Sequence, residues 1–206
     1  MSRNDSTGRG ADLLADDWLA DLRDVPLLPG VVAGAVAWLV GYGLMALLFY
    51  LGPASLGAGS TGERLRGIGV IFYNAQFVDG IETITSANLQ ETVRFNVILE
   101  QGSTAVPTFV YFAIPFVALV AVGAVLGYRA ITADVEYVTI ALLGVAVAIG
   151  YLPLAVAGSF VVELSVGWSL GTLLLEPDLV ESAAFGFAYP FVVGTLGVAV
   201  GYVVQR

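Results

Sequence analysis

Cysteine, histidine and lysine are all absent from this chain of 206 residues. Without cysteine there is no disulfide, no iron–sulfur cluster and no thiolate zinc site. Without histidine there is no imidazole-ligated haem and no Ser–His or Cys–His catalysis. Without lysine there is no retinal Schiff base and no P-loop lysine. The remaining residues offer no nucleophile–base set and no metal-ligand spacing, so the sequence predicts no catalytic residue, no metal site and no cofactor: a protein that is not an enzyme. Charge is also scarce, at 12% of residues against 58% apolar, and acids outnumber bases 17 to 8. Nucleic acid is excluded as a partner, because neutralising phosphates needs clustered cations. An acidic balance without lysine, on an Ala/Gly/Val-rich background, is what a high-salt cytoplasm favours, since carboxylates hold water there.

What is present in abundance is uncharged apolar chain. No charge falls between Val25 and Gly62, or between Gln101 and Tyr128, where Arg129 closes the run. At about 1.5 Å per residue, a helix of some twenty such residues crosses a hydrocarbon core of roughly 30 Å. Four spans follow, at about 28–51, 107–128, 137–162 and 183–204. The expected fold is an all-α membrane protein of four transmembrane helices, residues 25–206, in contact with the lipid bilayer and placed in the cell membrane. Residues 1–24 form an acidic tail. Its first ten residues lack the pattern of a signal peptide, so no cleavage is expected. In 11–24 (ADLLADDWLADLRD), Leu14, Trp18 and Leu22 share one helical face and five aspartates occupy most of the rest. That stretch reads either as a docking helix for a protein partner or as a solvated lead-in to the first span.

Between spans one and two, IGVIFYNAQFV (68–78) is apolar but too short to cross. It is expected to be a short helix in the first outer loop: interfacial, re-entrant, or packed on the outside of the bundle. Residues 79–104 are extramembrane, with 88–101 a candidate amphipathic helix, and 163–181 read as a loop. The short turn after Arg129 predicts that spans two and three are antiparallel neighbours.

The chain also repeats itself. FAIPFV at 112–117 returns as FAYPFV at 187–192, and GAVLGY at 123–128 returns as GVAVGY at 197–202. Spans one and three match more weakly. Two helical hairpins in the same orientation, related by a pseudo-axis along the membrane normal, are the arrangement this predicts. Gly123, Gly127, Gly197 and Gly201 fall in GxxxG patterns that let helices approach closely in lipid, within the bundle or between copies in a homo-oligomer. The bundle is expected to be built around spans two and four through these glycines.

FYNAQFVD (72–79), YLPLAVAGSFVVELSVG (151–167) and FAYPFVVGTLGVAVG (187–201) together resemble an uncharacterised family of haloarchaeal integral membrane proteins, known as a domain of unknown function. The resemblance covers about residues 30–204 and implies a halophilic archaeal source and a multipass fold, with no activity or ligand attached.

The acids nearest the spans are Asp79 and Glu163, each after an aromatic-plus-valine stretch, with Asn74 beside the first. A carboxylate close to hydrocarbon is a candidate site because burying its charge is costly. The pair could bind a cation or relay protons at the outer interface of a small oligomeric carrier or channel, or each could merely mark where a span ends. The bland alternative, a structural or accessory membrane component, is the leading expectation. Four spans put both termini on one side. Arg3, Arg9, Arg23, Arg129 and Arg206 lie on that side against Arg64, Arg66 and Arg94 on the other, which predicts cytoplasmic termini. Asn4-Asp5-Ser6 should then carry no glycan.

Overall fold

A computed structural model describes residues 25–51, 60–86, 89–100, 106–131, 137–168 and 171–206. The expected helix at 11–24 lies outside them. Four long helices dominate: α1 (Leu27–Leu51), α4 (Thr108–Ala130), α5 (Tyr137–Val161) and α6 (Leu179–Gln205). All four are long and apolar enough to cross a membrane. Prolines stand at or near the starts of α1 and α4, where no intrahelical N–H bond is lost. Pro115, Pro153 and Pro190 sit inside α4, α5 and α6.

Between α1 and α4 come α2 (Thr61–Asn74), strands β1 (Gly80–Ser86) and β2 (Leu89–Phe95), and the single turn α3 (Val97–Glu100). Strands β3 (Leu164–Trp168) and β4 (Gly171–Pro177) join α5 to α6. The four strands form one antiparallel sheet in the order β2-β1-β4-β3. The fold is therefore not all-α, and two expectations are corrected with it. In place of the one amphipathic helix expected over 88–101, the described residues 89–100 form β2 followed by α3. The loop expected at 163–181 contains a hairpin and the first turn of α6. Pairing between the two hairpins explains both corrections. Opposite Gly80–Ser86, β4 runs from Pro177 to Gly171, so each hairpin supplies the other with a hydrogen-bonding edge. The alternation of the strands places Val93, Glu82, Leu175 and Leu164 in one row, and Thr92, Thr83, Leu174 and Ser165 in the next.

The bundle's order departs from chain order. α6 packs against α4 and α5, and α1 against the same two, whereas α4 and α5 barely touch. Spans two and three are thus diagonal, not neighbours, despite the short connection between them. Backbone contact decides this, because small residues let particular helix pairs approach. A Cβ on Gly123 would meet the Gly194 carbonyl oxygen at 2.8 Å and Gly197 Cα at 3.1 Å. A Cβ on Gly197 would meet the Val120 oxygen at 2.7 Å and Gly123 Cα at 3.1 Å. Gly127 abuts the Val198 carbonyl as Gly201 abuts that of Ala124. The contact between α4 and α6 is therefore symmetric in the residues the repeat equates. That symmetry stays within the pair. α1 and α5 lie on the same side of it and pack on each other, where a two-fold axis between α4 and α6 would set them on opposite sides. Gly30 and Gly34 of α1 press on Ala146 and Val147 of α5, and Gly150 on Val31.

Candidate functional site

The polar side chains that sequence and structure single out lie where the sheet and α2 meet the bundle. α2 begins with a capping box: Ser60 Oγ accepts from Glu63 N–H, and Glu63 accepts from Ser60 N–H at 2.7 Å. Hydrogen bonding from Ser60, its backbone N–H first and its side chain second, holds the Glu63 carboxyl below its ordinary value. Its second half, Ile68–Asn74, is wholly buried. Gly69 fits against Val162 just past the end of α5, and Phe72 packs edge-on to Trp38 and Tyr42 of α1. Tyr73 donates to the Ala155 carbonyl of α5, and burial pushes its hydroxyl well up. The short apolar helix expected at 68–78 is thus the end of a longer one, set in among the spans at the level of Trp38, Ala118 and Ala155.

The chain leaves α2 through a tight reversal. Val78 N–H donates to the Tyr73 carbonyl and Phe77 N–H to that of Asn74, the bond pair of a Schellman turn. The left-handed position falls on Phe77, φ 65°, where glycine is usual. What holds a phenylalanine there is its ring, stacked on Phe112 of α4 at 5.3 Å and set against Tyr189 of α6 at 6.3 Å.

Asn74, a candidate site residue, is fully buried and hydrogen-bonded at both ends of its amide. Its Nδ2 donates to the Val78 carbonyl at 2.8 Å, its Oδ1 accepts from Val97 N–H at 2.9 Å, and its carbonyl accepts from Asn96 Nδ2. Asn96 in turn caps α3, accepting from Ile98 and Leu99 N–H. Gln76 donates to the Phe72 carbonyl and accepts from the Tyr151 hydroxyl of α5. Asn74 is a junction of the backbone, with both ends of its amide engaged within the protein.

Asp79 and Glu163 are not brought together. Asp79 ends up beside Asp178, whose N–H donates to its carbonyl at 2.9 Å, and its own N–H donates to Glu181 Oε2 at 2.7 Å. Glu163 precedes β3 and is exposed. Strand β4 runs between β1 and β3, so about two inter-strand spacings, on the order of 9–10 Å, separate them laterally. The expected shared acidic site is corrected: sheet pairing places a strand between its two members. Among the described residues no group of three or more His, Cys, Asp or Glu could hold a metal ion.

A different cluster takes the place of that pair. Asp178 caps α6, accepting at Oδ1 from Val180 N–H at 2.8 Å and Glu181 N–H at 3.0 Å. Arg94 of β2 bonds Asp178 Oδ2 through Nη2, and Glu181 Oε1 through Nη1 at 2.9 Å. The Asp178 carboxylate is 5% exposed and Arg94 58%, so the arginine covers a buried acid from the solvent side. The Asp-x-x-Glu pattern before an apolar run is a legible helix start. The arginine 84 residues earlier in the chain carries no such signal.

Four long apolar helices closed by backbone contact, with a sheet laced to them by hydrogen-bonded polar groups, fit a multipass membrane protein with a small cap beyond the spans. The chain belongs to DUF7978, a family of unknown function, whose pattern matches residues 19–205. No curated protein and no solved structure matches it.

Proposed function

We propose that the protein is a structural or accessory component of the cell membrane in a halophilic archaeon, without catalytic activity, spanning the bilayer four times. Its termini lie in the cytoplasm and the four-stranded cap lies outside. The observation that carries this reading is the state of the buried polar groups. Asn74, Gln76 and Tyr151, which a carrier would need for a polar path, are bonded to one another's segments. Partners are then met at the surface, through the acidic stretch 11–24 on one side and the cap on the other, or by self-association.

The direct test is purification of the tagged full chain from its native membrane after mild crosslinking. A reproducible partner that is lost on deleting residues 11–24 or on disrupting the cap is the expected result. Ion or proton flux through the purified protein in liposomes, abolished by Asp79→Asn with Glu163→Gln, would instead establish the carrier reading. Single cysteines introduced into this Cys-free chain at 206 and at 85 test the orientation: only the second should react with an impermeant reagent added outside.

A further inference from the structure

We infer that the groove between the final turns of α4 and α6 holds an acyl chain of an anionic phospholipid, with the lipid phosphate at Arg129. The inference rests on the reading of these helices as membrane spans. The groove, about 330 Å³, is lined by Ala124, Val125 and Tyr128 of α4 and by Val200, Gly201 and Val204 of α6, with Arg129 at its mouth. The walls are apolar apart from the tyrosine. Ala124 and Gly201, pressed together where the two helices meet, contribute almost no side-chain volume, and this leaves room beside the helix contact. An aqueous solute has nothing to gain from such a surface, whereas a hydrocarbon chain does.

Charge selects among lipids. The Arg129 side chain is exposed and forms no ion pair or hydrogen bond within the described residues. Arg206 ends the neighbouring helix at the same end of the bundle, its guanidinium 4.6 Å from the centre of the Tyr202 ring. No Asp or Glu occurs among the described residues of the four helix ends there: 25–34, 124–131, 137–146 and 197–206. Among the described residues of a chain with net charge −9, the helix ends around this groove thus carry arginine and no acidic side chain. A cation at the headgroup level above an apolar groove matches a phosphate carried on an acyl chain. Free phosphate would meet the arginine alone.

Native mass spectrometry of the full chain in neutral detergent, titrated with phosphatidylglycerol or phosphatidylcholine, tests this. Wild type should retain phosphatidylglycerol about fivefold better than phosphatidylcholine, the preference expected of one cation near the surface. Arg129→Gln should abolish that preference and Arg129→Lys should restore it. Val200→Trp, which fills the groove and keeps the charge, should lower phosphatidylglycerol retention by itself. Equal retention of the two lipids by wild type, or an unchanged preference in Arg129→Gln, would overturn the proposal. So would displacement of the lipid by millimolar inorganic phosphate, which would mark a free-anion site. Failure of the membrane reading shows separately: the protein would then stay monodisperse once detergent is removed.

Discussion

At the scale of single residues, the stability of this protein depends on places where nothing larger fits. Gly127 and Gly201 abut carbonyls of the facing helix, whereas a Cβ on Gly43 would meet nothing within 4 Å. Adding side chains at the first two forces backbone apart, and overpacking of this kind costs about 1–3 kcal/mol. Gly127→Leu and Gly201→Leu should therefore lower the thermal midpoint in detergent clearly, and Gly43→Leu hardly at all. Equal tolerance of all three would remove the close helix contact. Buried polar groups are the second dependency. Tyr151→Phe leaves Gln76 Oε1 without its donor, and Asn74→Ala leaves Val97 N–H and the Val78 carbonyl unpaired. Each stranded group costs about 1–3 kcal/mol. Asn74→Ala should thus be the more damaging of the two in the same melt.

At the scale of elements, α2 is held at both ends by different means. Its start relies on the Ser60–Glu63 box, and the carboxyl there has a lowered pKa. A depressed folded pKa gives stability that is present above the unfolded value and lost as pH falls through the folded one. Wild type should consequently outlast Glu63→Ala against protease cleavage near Thr61 at neutral pH. The two should converge once pH drops below the ordinary carboxylate range. A constant difference across that range would show that the charge is irrelevant to the cap. Strand β2 shows why local reading fails. Leu89, Val93 and Val97 recur at helical spacing, but Thr92 and Val93 are β-branched and β1 offers a complete antiparallel edge from Gly80 to Ser86. The edge is remote information for a window of seven residues.

At the scale of the molecule, the cap is one sheet made by two hairpins far apart in the chain, 80–95 and 164–177, and its central seam is β1 with β4. Thr83 and Leu174 are directly opposed across that seam. Cysteines at both positions should form a disulfide on mild oxidation, because opposed antiparallel residues lie about 4.5–5.5 Å apart at Cα or Cβ. The link should shift electrophoretic mobility. Cysteines at 79 and 163 should not join under the same conditions. A 79–163 link with no 83–174 link would invalidate the sheet order.

The sequence by itself determined the four long helices, because uncharged runs of more than twenty residues have few other folded states. It also determined which glycines matter, because GxxxG recurs at matching places in α4 and α6; the acid-capped entry of α6 carries a local signal in Asp178-x-x-Glu181, yet those residues read as the end of a loop until the structure set the helix start. Only the tertiary structure decided the ring order, the sheet and the partner of Asp79. Whether α4 lies against α5 or against α6 depends on which surfaces close with least void. Whether Asp79 meets Glu163 or Glu181 depends on the strand that pairing places between. Those choices are made by contacts between segments far apart in the chain, and the residues on each side look the same until both are in place.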